Sequence, residues 1–119
     1  MSKRSQRKFY RAKYFAEISA LKYLPDNSDR SSAKSLELIV LNLSIDGVGV
    51  LSREYIEDNT LVTFTIYLGG MGHELMGYAT FCKRIGELYR IGIKLVSTDN
   101  LFVSMLSEYA AQQQEEEWI

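Results

Sequence analysis

From Leu75 to Leu95 the chain alternates residue types on both sides of a single turn signal, and this pattern does most to limit the fold. Leu75, Gly77, Ala79, Phe81, Lys83 and Ile85 fall on one face of an extended segment, and Met76, Tyr78, Thr80, Cys82 and Arg84 on the other. Gly86-Glu87 follows, with glycine first, which suits a two-residue hairpin loop. On the return, Tyr89, Ile91, Ile93 and Leu95 share a face, while Arg90, Gly92 and Lys94 take the opposite one. Side chains of a strand point alternately to its two faces, so a period of two around a tight turn predicts an antiparallel hairpin.

The rest of the chain reads as more strands and one helix. Residues 14–24, YFAEISALKYL, are extended and stop at Pro25, the only proline. The polar stretch 25–35, PDNSDRSSAKS, is expected to be a loop. Residues 36–41, LELIVL, are almost continuously apolar, which suits a buried strand. Gly47 and a short strand, VGVLS, come next, then residues 61–68, LVTFTIYL, rich in strand formers. The GGMGH cluster at 69–73 is read as a loop. After Leu95 the period changes. Ser97, Thr98 and Asp99 are all good helix N-caps. Two apolar rows follow at helical spacing, Leu101, Met105, Tyr109 and Phe102, Leu106, Ala110, predicting an amphipathic helix of about four turns. About six strands and a terminal helix imply an antiparallel barrel or sandwich with the helix packed on it.

Length and charge narrow the function classes. A chain of 119 residues is one domain with one core. It has no apolar run long enough to span a bilayer, so no membrane insertion is expected. The basic start lacks the apolar stretch of a signal peptide, and Cys82 is the only cysteine, so a cytoplasmic location is expected. The net charge of −1 argues against a broad polyanion-binding surface. The distribution is uneven, however. Residues 1–14 carry Lys3, Arg4, Arg7, Lys8, Arg11 and Lys13 and no acid, and Glu115, Glu116 and Glu117 lie near the other end. A basic arm on a near-neutral body suggests a local anion site. The division expected is a ligand-binding arm at 1–14, a barrel and helix at 15–114, and an acidic tail at 115–119.

Two short motifs carry chemistry. Arg7-Lys8-Phe9-Tyr10-Arg11 places two arginines four apart just before the first strand, and Asn42-Leu43-Ser44-Ile45-Asp46-Gly47 lies where the buried strand ends. Arginine grips phosphate through paired N–H groups, stacks flat on a base, and suits the O6/N7 edge of guanine. Asn42 both donates and accepts, and Ser44 offers a hydroxyl. Alternation puts these two on the same side, and Gly47 is expected to allow a turn of positive φ and a close ligand approach.

With these residues the chain resembles the PilZ domain family, whose pattern is R-x-x-x-R followed by [D/N]-x-S-x-x-G. Both motifs stand here in that order, and the GYATFCKRIGELYRIGIKLV hairpin with Gly92, then the helix, are similar to the family too. The resemblance extends from about Arg4 to Gln113. It implies a six-stranded antiparallel β-barrel with one C-terminal α-helix, and binding of cyclic di-GMP as ligand rather than cofactor. Arg7 and Arg11 would hold phosphates and guanine, Asn42 and Ser44 would hydrogen-bond guanine or phosphate, and Gly47 would permit the approach. Arg4 and Lys8 would stand at the periphery. Asn42 accepts through one oxygen where an aspartate would offer two, which implies a somewhat weaker contact. Family members hold either one nucleotide or an intercalated pair, and the residues do not choose between them.

The expected function is therefore a receptor and adaptor that responds to cyclic di-GMP and signals to a protein effector in motility, attachment or exopolysaccharide control. Two alternatives stand beside it: a PilZ-like protein-interaction module that binds no nucleotide, and a small-barrel nucleic-acid binder, for which the charge gives little support. No catalytic constellation and no metal-ligand spacing is visible, so neither an enzyme nor a metal site is expected. His73 reads as structural or solvent-facing and Cys82 as a small, partly buried strand residue.

Overall fold

The computed structural model describes residues 12–23, 33–96 and 98–118, with side chains described as far as Gln113. Its strands are β1 (Ala12–Tyr23), β2 (Lys34–Leu43), β3 (Gly47–Ser52), β4 (Leu61–Leu68), β5 (Met71–Ile85) and β6 (Leu88–Leu95), followed by helix α1 (Asn100–Trp118). Every strand pairing is antiparallel, and the order β1-β2-β3-β6-β5-β4 closes on itself through β1 and β4. The fold is thus a barrel rather than a sandwich. Closure satisfies the edge backbone groups that an open sheet would leave unpaired.

Alternation explains the core. The inward residues of β2, β4 and β6 include Leu36, Leu38, Val40, Val62, Phe64, Ile66, Ile91 and Ile93, all buried. The Gly86–Glu87 turn forms as read, with Gly86 at φ 62°. The GGMGH loop does not form. Gly69 and Gly70, both at positive φ, make a tight turn by themselves, and β5 starts directly at Met71. Two consecutive positive-φ residues give the twist that an antiparallel pair needs. His73 consequently lies in a strand, buried, with its ring edge-on to Phe102 at 5.4 Å. β1 also starts earlier than read, at Ala12, inside the stretch taken for the arm.

Of the three candidate caps, Asp99 is used: its Oδ1 accepts from the Phe102 N–H at 2.7 Å. The helix runs 19 residues, about five turns, and carries the acidic residues 115–117 that were expected to form a tail. Phe102, Leu106 and Ala110 are its buried row, and the helix packs against β1 and β4. Leu101, in the other apolar row, is exposed instead. No helix among the described residues is long and apolar enough to cross a membrane.

Candidate functional site

Two β-bulges determine what the outer wall of the barrel presents. In β2, Leu36, Leu38 and Val40 are buried while Glu37 and Ile39 are exposed, so unbroken alternation would send Asn42 into the core. The pairing to β3 steps from Val40↔Val50 to Asn42↔Gly49, leaving Leu41 as an extra residue. The parity reverses there: Leu43 takes the core position and Asn42 faces out. An amide turned inward would lose its hydrogen bonds to water at a cost of about 1–3 kcal/mol. In β5 the step is from Ala79↔Ile93 to Phe81↔Gly92, with Thr80 extra. Phe81 is therefore not on the core face with Leu75 and Ala79, where simple alternation put it. It is 46% exposed, and Cys82, half-buried, packs against the core in its place. Thr80 Oγ1 donates to the Gly92 carbonyl at 3.1 Å and holds the bulge. Bulges of this kind re-aim side chains beside functional sites.

The strand register now aligns one row across the outer wall: Lys13, Asn42, Gly49, Gly92 and Phe81, contributed by β1, β2, β3, β6 and β5. At its centre the two glycines pair directly, leaving a floor without side chains of its own. A cavity of about 370 Å³ opens over this floor, and Asn42, Ser44, Gly47, Phe81 and Arg90 are among the residues that line it.

The turn between β2 and β3 is fastened by Ser44. Its hydroxyl lies 2.6 Å from Asp46 Oδ1, to which it donates, and accepts the Gly47 N–H at 3.1 Å. The Ser44 N–H donates to the Gly47 carbonyl at 2.8 Å, and the Leu95 N–H to the Asp46 carbonyl at 3.0 Å. Ser44 is accordingly buried and engaged within the turn. Gly47 does not have the positive φ expected of it. Its reason for being glycine is space, since a methyl group there would stand 3.2 Å from the Ile93 carbonyl oxygen of the neighbouring strand.

The structure thus brings Asn42, Ser44 and Gly47 to one cavity. Arg4, Arg7, Lys8 and Arg11 lie outside the described residues. Three contributors went unread in the sequence: Gly49, Phe81 and Arg90. For Arg90 a signal existed, because it shares the non-core face of β6 with Gly92 and Lys94; for Phe81 the bulge removed it. The charged residues on the lining are Arg90 and Lys94, with Asp46 opposing them. The ion pair seen among the described residues, Lys22–Glu54 at 2.8 Å, involves none of them. No group of side chains suited to a metal ion occurs among the described residues.

One further contact ties this wall to the helix. Lys13 pairs with Asn42 on one side, and on the other its backbone is held by α1. The Lys13 N–H donates to Gln113 Oε1 at 2.9 Å, the Lys13 carbonyl accepts from the Tyr109 hydroxyl at 2.9 Å, and it accepts from Gln113 Nε2 as well. Beside it, the Tyr14 hydroxyl donates to the Tyr67 carbonyl at 2.9 Å. Burial pushes the Tyr14 pKa above its ordinary value, and the nearby Tyr109 adds to this shift.

No protein-family model matches the chain, and no curated protein matches it by sequence. Solved structures do match by fold. The PilZ domain of Escherichia coli YcgR with c-di-GMP superposes with a TM-score of 0.63 at 12% identity, covering 94% of each chain. The structure of Escherichia coli YcgR in complex with c-di-GMP gives a TM-score of 0.66 at 14% identity, covering 94% of this chain and 47% of that one. The Bacillus subtilis inhibitor of motility, MotI/DgrA, gives 0.64 at 10% identity, covering 92% of this chain and 52% of that one. Against these last two the chain spans about half of their length. The closed six-stranded antiparallel barrel with its C-terminal helix matches the PilZ fold, and this chain is PilZ-like in its fold.

Proposed function

We propose that this domain is a receptor for cyclic di-GMP that passes the binding event to a protein partner. The observation that carries the reading is that Asn42, Ser44 and Gly47 border one cavity over the bare floor, while Lys13, the β1 residue paired with Asn42, stands two positions after Arg11 in the sequence. In the sequence Arg11 immediately precedes Ala12, the first residue of β1, and Arg7 is four residues further back. Cyclic di-GMP offers two phosphodiester anions for guanidinium groups and two guanines with acceptor edges and flat faces. The two fold relatives described as c-di-GMP structures support the choice of ligand.

In this mechanism Arg7 and Arg11 close over the nucleotide from the arm, and Asn42 meets a guanine edge. Ser44 acts first by holding the turn, leaving an oxygen lone pair for the ligand. No catalytic step is involved. Because α1 grips the backbone of Lys13, the arm and the helix share a residue, and a ligand that favours the closed arm shifts the population of helix positions as well. The partner reads that shift, in a response controlling motility, attachment or exopolysaccharide production.

Calorimetric titration of cyclic di-GMP into the protein, beside the double variant Arg7→Ala/Arg11→Ala and a GTP control, tests the reading. Saturable heat that requires both arginines and is absent with GTP is expected, and the titration yields one or two nucleotides per site. A folded protein that binds no cyclic di-GMP would refute it and point to a protein-interaction module. Binding of single-stranded nucleic acid in preference, falling steeply with salt, would point to the third reading.

A further inference from the structure

Gly49 and Gly92 leave a bare floor, and two side chains from elsewhere lie across it. A methyl group on Gly49 would stand 2.7 Å from one terminal nitrogen of Arg90, 2.9 Å from the other and 2.8 Å from Asn42 Oδ1. The fork of the guanidinium and the amide oxygen therefore converge over one glycine. Over the other lies the Phe81 ring, overlapping the space that a Gly92 side chain would need. Neither residue serves the barrel interior. Phe81 was turned out of the core by the bulge at Thr80. The one side-chain hydrogen bond of Arg90 among the described residues is a 3.3 Å contact to the Ile91 carbonyl.

An aromatic ring exposed on a bulge, a guanidinium beside it and an amide oxygen at its edge match the chemistry of a guanine base. Flat rings and guanidinium groups both stack on nucleobases. The guanidinium fork also suits the paired O6 and N7 acceptors of guanine, whereas adenine presents an N–H donor where guanine has O6. Asn42 Oδ1 completes the pattern by accepting from a guanine N–H.

We propose that Phe81 and Arg90 form the base-recognition platform of this site, with Phe81 supplying a base-tolerant stacking surface and Arg90, beside Asn42, selecting guanine over adenine. This rests on the cyclic dinucleotide reading above and assigns it two residues outside both sequence motifs.

The experiment is a titration of cyclic di-GMP and cyclic di-AMP, each into the native chain and the variants Arg90→Ala, Arg90→Lys, Phe81→Ala and Phe81→Tyr, with thermal melts to verify folding. The native chain is expected to prefer cyclic di-GMP. Arg90→Ala lowers that preference by about tenfold or more, and Arg90→Lys does not restore it, because a point charge lacks the planar fork. Phe81→Ala weakens both nucleotides by a similar factor, about tenfold, and Phe81→Tyr, which keeps the ring, restores both. If folded Arg90→Ala and Phe81→Ala proteins bind cyclic di-GMP within about twofold of native while Arg7→Ala/Arg11→Ala binds none, the platform is refuted and the receptor reading stands. If the native chain binds neither nucleotide, both fall together.

Discussion

A Cβ atom is a small probe of what a site can spare, and the glycines of this barrel separate into two kinds by that measure. At Gly49 the atoms in the way are the tips of Arg90 and Asn42, which can move aside. At Gly77 they are the backbone of Lys94 and the side chain of Ile93, which cannot. Gly49→Ala should leave the melting temperature nearly unchanged while weakening cyclic di-GMP binding by about tenfold, a change of about 1.4 kcal/mol, because it displaces the guanidinium and the amide together. Gly77→Ala should do the reverse and destabilise the fold by about 1–3 kcal/mol or more, through overpacking against a neighbouring strand. Parallel melts and titrations of the two variants check both statements; equal loss of binding at equal loss of stability would show that Gly49 acts only through the fold. Gly49 and Gly77 could be counted in the sequence, but not sorted, because their neighbours come from β2 and β6 and are set by pairing.

At the scale of elements, the helix is attached by a cap, an apolar row and one polar clasp. Asp99 accepts from the Phe102 N–H, and Phe102 is fully buried. Asp99→Ala should cost about 1 kcal/mol in chemical denaturation and Phe102→Ala about 3–5 kcal/mol. Next to the clasp, Tyr14 gives a pH dependence. Tyr14 has a folded-state pKa raised above its ordinary value near 10, so the folded chain holds the phenol proton more tightly than the unfolded one. Its contribution is therefore complete below pH 10 and is lost as pH rises through the raised value. Native protein should lose stability above pH 10 more steeply than Tyr14→Phe, as followed by thermal melts across that range. The cap was legible in the sequence as one of three adjacent candidates. The clasp was not, because Lys13 and Gln113 are separated by 100 positions and meet only when the barrel presents β1 to the helix.

At the scale of the whole molecule, the net charge is −1 and the site lining carries Arg90 and Lys94 against Asp46, a balance that on the proposed reading suits a small anion rather than a long one. Affinity for cyclic di-GMP, a dianion, should fall with salt along a shallow log–log slope, of magnitude about 2 or less, measured by titration between low and moderate salt. A slope several times steeper would mean an extended contact with polyanion.

What the sequence determined by itself was everything that repeats locally. The period of two marked the strands, Gly86 the hairpin, and the change of period after Leu95 the helix, because each depends on neighbours a few residues away. The motif residues Asn42, Ser44 and Gly47 were legible as a turn with chemistry. What only the tertiary structure decided was direction. One extra residue at Leu41 and one at Thr80 reverse the facing of everything beyond them, and a bulge forms only where a partner strand has no residue to match. The same pairings laid Gly49 beside Gly92 and brought Arg90, Asn42 and Phe81 around them. A one-residue shift is almost invisible in a pattern of two, yet here it separates a core position from the outer wall that carries the candidate site.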